Sequence, residues 1–355
     1  MGASLLRCIV PCGLLMATVG CGGDLVYNFD NGLTTGSIEP IDDPTKVALL
    51  ETYAPRVYFH SREEYWPSSV EWSFNFLKRV WDSRSGKWWL VSKEKLRKPS
   101  SVVAYFHGAD PDRQWTGIPC SLDDVPAYAF WHKVDDRSYD LLYFFYYPYN
   151  RGKLVKWGGL GKLRPIPINT VFGNHVGDWE HITVRLTWQR VWDDWILAPS
   201  MDAHVPSLYL SSHSHGQKSR WPVPWVPDTH HPIIYAAKGS HGSYLKAGSH
   251  TYKTSFWVGK LKDHTDKGTA WDTWKKLECF DYDAKRGLGP TWKGTWPTWL
   301  KKGAADRDVG SEDPASGPVW RWGNYRRGEQ AGYYRLAHGP TGPADKPYLT
   351  TRALD

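Results

Sequence analysis

In the run GNHVGDWEHITVRL, residues 173–186, Asp178, Glu180, Ile182, Val184 and Leu186 share one parity. Side chains of a strand alternate between faces, so this run predicts a strand whose buried row opens on two carboxylates and continues in aliphatic residues. Shorter apolar runs follow the same logic at SVVAYF (101–106), YDLLYFFYYPY (139–149), HITVRLTW (181–188), SLYLSS (207–212), PIIYAA (232–237) and SYLKAG (243–248). Gly, Pro, Asn and Asp separate them, as turn chemistry between strands requires. KVALLETYAPRVYFH predicts a short helix up to Tyr53 and extended chain after Pro55. No long amphipathic helix, internal repeat or heptad is legible. The pattern predicts a mostly β chain: a single large β-sandwich domain over 46–355 with long Trp/Gly/Pro-rich loops, preceded by a linker over 24–45. Residues 283–318, with GPTWKGTWPTWLKKG, read as a long surface excursion.

Composition sharpens this picture without changing it. Of 355 residues, 23% are charged and 41% hydrophobic, which is globular, and 22 Trp, 33 Gly and 25 Pro suit many short strands joined by turns. A net charge of +7 and a pI near 9.0 favour acidic surfaces, but Lys and Arg are scattered without a dense run, so no nucleic-acid partner is expected.

The N-terminus, MGASLLRCIVPCGLLMATVGCGGD, carries one Arg and then an apolar stretch from Cys8 to Gly20. That stretch is too short to span a bilayer and right for a signal peptide over residues 1–23, so the protein is expected to be secreted or extracytoplasmic. TVGC before Gly22 also resembles a bacterial lipobox, with Thr18 where a larger aliphatic is usual; on that alternative Cys21 is lipid-anchored. Leu6 stands where a myristoylation signal needs Ser or Thr. Removal of the signal leaves Cys120 and Cys279 in the folded body, open to pairing in an oxidising compartment or to lying as two buried thiols.

A buried carboxylate pair needs a cation, a shared proton or an arginine to meet it. Nine of the fourteen histidines fall between His175 and His250. His213 and His215 are two apart, hence on one strand face, and His241 sits in the turn KGSHGSY after an apolar run. With His175, Asp178 and Glu180 as the expected metal ligands, and Asn150, His213, His215 and His241 as further polar candidates, this is a mixed nitrogen and oxygen set. It suits zinc or manganese if several histidines join, and calcium or magnesium if oxygen dominates. Ser240 beside His241 is not a nucleophile-elbow pattern, and neighbours on extended chain point to opposite faces.

Seven ordered blocks carry a resemblance: YAPRVYFHSREEYWPSSVEW at 53–72, YFFYYPYN at 143–150, GNHVGDWEHITVRL, YLSSHSHG, HPIIYAAKGSHGSY at 231–244, DHTDKGTAWDT at 263–273 and WRWGN at 320–324. The chain resembles the vacuolar protein sorting-associated protein 62 family over nearly all of its mature length. That family is defined by a sorting phenotype, so the resemblance implies a fold and a site rather than a reaction. The block H-x-x-D-W-E is also similar to the G-H-R-H-D-W-E motif of the necrosis- and ethylene-inducing protein family, a β-sandwich that binds a divalent cation and a sphingolipid glycan head. By position, His175, Asp178 and Glu180 match its cation residues, and Asn150 stands where that family has an Asp. Asn174, Val176 and Gly177 depart from the motif's Gly, Arg and second His, which puts cytolysis of plant membranes in doubt.

Two readings follow. In the first, a secreted protein holds a divalent cation (Ca, Mg, Mn or Zn) at His175, Asp178 and Glu180 and binds a glycan or lipid headgroup. Trp292, Trp296 and Trp299 would stack on the ligand or sit at a headgroup layer, with Trp221 and Trp225 in similar turns and peripheral membrane association as a corollary; the alternative is a lid that packs its own tryptophans onto the sandwich. In the second, the metal activates water for hydrolysis of glycan, ester or phosphate-ester substrates, with Glu180 or His241 as general base. A purely structural sorting role is the remaining alternative.

Overall fold

The structure, a computed structural model, describes residues 18–19, 23–24, 41–73, 77–82, 87–92, 121–156, 169–191, 194–213, 215–255, 259–289, 294–297, 300, 321–322, 330–331, 334–336, 340, 342–343 and 354. The expected strand at 101–106 and residues Cys120, Trp292 and Trp299 lie outside them, as does most of the expected signal segment. The side chain of His215 is likewise not described.

The helix Asp43–Thr52 starts where its signals sit: Asp42 accepts the Thr45 backbone N–H at 2.9 Å, and Pro44 falls in the first turn. Leu49 and Leu50 are its buried face. Ile41 is buried too, and Asp43 pairs with Arg286, so this end of the expected linker packs on the folded body. The capping signal lay inside the presumed linker.

The fold is mostly β. An eleven-stranded sheet runs in the order His215–Ser219, Leu208–Ser212, Asn169–Val191, Ser138–Asn150, Ala127–Lys133, Leu277–Asp281, Arg286–Gly287, with the other four strands attached off this path. Its central pair is antiparallel, with Tyr147 opposite Asp178, Phe145 opposite Glu180 and Asn150 opposite His175. A four-stranded sheet, Ser243–Tyr244, Ile233–Ala236, Arg56–Tyr58, Ala270–Asp272, packs across one face of it. Trp271 meets Phe145 edge-on at 5.5 Å, and Phe59 meets Tyr147 at 6.3 Å. Ile182, Val184 and Leu186 lie in this core, the side on which Asp178 and Glu180 were expected by parity. The layers form a sandwich, with no closed barrel among the described residues.

The outer face of the large sheet is also buried. Phe130, Phe144, Tyr146 and Trp179 lie there, which is why YDLLYFFYYPY reads as a continuous apolar run instead of alternating. Part of the covering comes from the expected surface excursion: Trp296 is buried, and its indole donates to the Asp281 carbonyl at 3.0 Å. Trp296 therefore packs on Phe130 and Tyr282 and is not available to stack on a ligand. On the same face Asp140 and Arg185, directly opposed across the central pair, form a buried two-pronged ion pair at 2.8 and 3.0 Å. Cys279 is a free, buried thiol whose ionisation burial pushes up.

Candidate functional site

Six of the sequence blocks converge on one end of the sandwich, through bonds made by Tyr65, Asn150, Asp178, Ser211, His241 and Asp263. The entry to it is a bend in the strand Asn169–Val191. Gly173 and Gly177 there adopt left-handed φ of 89° and 67°, which glycine tolerates best. The Asn150 side chain braces the bend by donating to the Gly173 carbonyl at 2.7 Å. His175 Nδ1 bonds the Gly177 carbonyl at 2.8 Å and must be the donor, since a carbonyl only accepts. Its Nε2 then faces Asp178 Oδ1 at 3.9 Å, beyond hydrogen-bond range.

Asp178 points inward. Its Oδ1 accepts the Trp179 backbone N–H at 3.0 Å, and its Oδ2 meets His241 Nδ1 at 3.3 Å. His241 comes from a tight turn in which its own N–H donates to the Ala237 carbonyl at 2.8 Å, with φ of 58°. The ring is fully buried, stacks on Tyr147 at 3.8 Å, and donates from Nε2 to the Tyr65 carbonyl at 2.9 Å. Because Nε2 must donate, the contact between Nδ1 and Asp178 holds a second proton, carried by the ring or by the carboxyl. His241 is thus one of the groups that meet the buried Asp178 carboxyl.

Glu180 takes a short hydrogen bond from the Ser211 hydroxyl, which itself accepts the His181 backbone N–H at 2.8 Å. Glu63, on the facing loop, accepts the backbone N–H groups of Glu64, Tyr65 and Gly239 at 2.9, 3.0 and 2.8 Å. Between them sits Tyr147, whose buried hydroxyl has no hydrogen-bond partner among the described residues. Burial, then the charges of Glu180, Asp178 and Glu63, push its ionisation far up, so it stays a neutral phenol.

Asp263 anchors a second network. Fully buried, it accepts from Lys153 Nζ at 2.7 Å and from His213 Nε2, Ser240 Oγ and Tyr244 OH at 2.8 Å each. Burial alone would raise its pKa, but the His213 hydrogen bond and the Lys153 charge outweigh that and hold it well below the usual carboxylate range. Lys153 also donates to Ser240 Oγ at 3.0 Å and to the Lys238 carbonyl at 3.3 Å.

The sequence candidates therefore separate. His175 and Asp178 meet at the bend, with Asn150 as its brace. Glu180 turns to Ser211, and among the described residues no three His, Cys, Asp or Glu side chains are placed to hold a metal ion. The expected three-residue ligand set is not assembled. His241 has both ring nitrogens and one face engaged and no exposed surface, which leaves it no room to act as a general base; buried Glu180, tied to Ser211, is similarly confined. His213 does not lie on a strand: Ser212 pairs with His215 across a hairpin, and His213 sits in the turn with φ of 54°. Tyr147, Glu63, Lys153 and Asp263 were missed as site residues. Glu63, Tyr147 and Asp263 stood within the resembling blocks, while Lys153 carried no signal apart from its position just beyond Asn150.

The fold and site define a β-sandwich with a polar end built from histidines and carboxylates. The chain belongs to the vacuolar protein sorting-associated protein 62 family, which it matches over residues 35–90 and 133–299. Two Saccharomyces cerevisiae relatives are TDA6, 25% identical over 83% of this chain and 65% of its own length, and vacuolar protein sorting-associated protein 62, 24% identical over 82% and 64%. The chain thus spans just under two thirds of those proteins. A solved structure titled "Toxin fold for microbial attack and plant defense" aligns at 15% identity over 72% of this chain and 82% of its own, with a TM-score of 0.28.

Proposed function

We propose that this is an exported binding protein that engages the polar headgroup of a glycan or lipid at the bend carrying His175. The observation behind this reading is the contact between His175 and Asp178: the Gly177 carbonyl fixes the ring so that Nε2 faces Asp178 Oδ1 across 3.9 Å. That gap suits a divalent cation held by His175 Nε2 and Asp178 Oδ1. With only two side chains such a cation would need ligand and solvent oxygens to complete its shell, which favours oxygen-seeking calcium, magnesium or manganese over zinc. Its chemistry would be to draw in hydroxyl or phosphate oxygens. Export rests on the N-terminal segment; no helix among the described residues is long and apolar enough to cross a membrane.

The test is an array of immobilised glycans and lipid headgroups probed with the full chain, with and without calcium, beside His175→Ala. His175 is partly exposed and its bond to the Gly177 carbonyl is local, so its loss should spare the fold, which a melting curve of the variant checks. Retention of the wild type on one headgroup class and its loss in the variant would support the reading. Equal retention of both proteins would overturn it.

A further inference from the structure

We propose that His213 is the general base of a second site, one that activates water against a phosphodiester. The argument starts at Asp263. A carboxylate accepts but does not donate, so the bond to His213 Nε2 fixes the proton on that nitrogen. In the neutral ring the lone pair is then on Nδ1, which has no hydrogen-bond partner among the described residues. The ring is held in place by stacking on Tyr252 at 3.8 Å, and its side chain is 26% exposed. A buried aspartate that sets the tautomer and orientation of an accessible histidine is the arrangement that general-base catalysis requires. His213 sits in its turn with left-handed backbone, φ of 54°, which His tolerates better than most residues.

The groups facing His213 set the substrate's charge. Tyr252 and Asp263 come from the hairpin Gly248–Ser255 and Gly259–Thr265, Tyr244 from the smaller sheet, and Lys153 from the strand Lys153–Lys156. Lys153 offsets Asp263. The neighbouring turn adds Arg151, whose N–H donates to the Gly239 carbonyl at 2.7 Å, and Lys238, whose N–H donates to the His264 carbonyl at 2.9 Å. Both are about a third exposed, and Glu64 pairs with both. Arg151 and Lys238 are the partly exposed cations of these turns that an anionic ester would meet.

In the step, His213 Nδ1 takes a proton from water while the water oxygen bonds to phosphorus. The bond from phosphorus to the leaving oxygen breaks, and that oxygen takes the proton back from Nδ1. Diester and water become monoester and alcohol, with no redox change. Asp263 is a positioning residue that never touches substrate.

This site does not depend on the His175 reading, and its test is separate. The full chain, with chelator present, is assayed for p-nitrophenolate release from bis(p-nitrophenyl) phosphate, beside His213→Gln, His213→Asn and His132→Asn. His132 is a control because it too pairs with an aspartate, Asp283 at 2.8 Å, outside this network. The expected result is turnover whose rate rises with pH through one ionisation. It should fall at least a hundredfold in both His213 variants at unchanged melting temperature and stay level in His132→Asn. Should the variants not fold, diethyl pyrocarbonate labelling of the native protein supplies the readout: label at His213, located by mass spectrometry, should track loss of turnover. Parallel arms with phosphatidylglycerol vesicles and with dithymidine monophosphate distinguish a lipid source of the diester from a nucleotide one. No release by the folded wild type, or release independent of His213, would overturn the proposal.

Discussion

Asp178 and His241 lie 63 residues apart in sequence and meet at 3.3 Å between Oδ2 and Nδ1, with both side chains buried. The contact joins the large sheet to the turn beyond Ile233–Ala236, and through Nε2 and the Tyr65 carbonyl it reaches the loop after Arg56–Tyr58. One proton-sharing pair thus ties three separate segments together.

Asp178→Ala should therefore cost about 3–5 kcal/mol in urea unfolding, the usual result of leaving one partner of a buried pair alone. His241→Ala should cost at least as much, because it also removes the ring stacked on Tyr147. A double variant no worse than either single would show that the two side chains act as a unit.

Stability at acid pH should depend on Asp263. Its folded pKa is depressed, so its contribution is fully present above the unfolded carboxylate value, near 3.9, and is lost as pH falls from there through the lower folded value. Urea unfolding followed downward from pH 6 should lose stability below about pH 5. In Asp263→Asn the curve should start lower and run flatter over the same window.

Asp140 and Arg185 give a contrasting case. Asp140→Asn leaves the buried guanidinium beside a neutral amide and should cost about 3–5 kcal/mol, whereas replacing both by leucine should recover most of that loss. Denaturant midpoints of the three proteins would measure the difference.

Gly177→Ala puts a Cβ on a residue at φ of 67° and should cost about 1–2 kcal/mol. It should also disturb the carbonyl that orients His175, so the two effects separate if headgroup retention falls further than stability accounts for.

The strands were legible where burial leaves a period: HITVRLTW, SLYLSS and PIIYAA each lie on the strands observed, at Asn169–Val191, Leu208–Ser212 and Ile233–Ala236. SYLKAG was not, because only Ser243–Tyr244 pairs and the chain turns before Gly248. The parity of Asp178 and Glu180 was readable from the alternation; their partners were not. His241 arrives from a turn whose inward direction depends on a left-handed residue, and Ser211 was one hydroxyl among many. Spacing put His213 and His215 on one face because a two-residue separation looks the same in a strand and across a tight hairpin. For Trp296 the sequence left open whether it stacks on a ligand or packs as a lid, since Gly and Pro turns around a tryptophan do not reveal which way it folds; it folds back over the sheet.

The most direct measurement is an equilibrium titration of the headgroup retained best on the array, with wild type, His175→Ala and His132→Asn. His175→Ala should bind at least tenfold more weakly, about 1.4 kcal/mol, while melting at the same temperature, and His132→Asn should match the wild type. Equal affinity in all three would contradict a binding site at the bend.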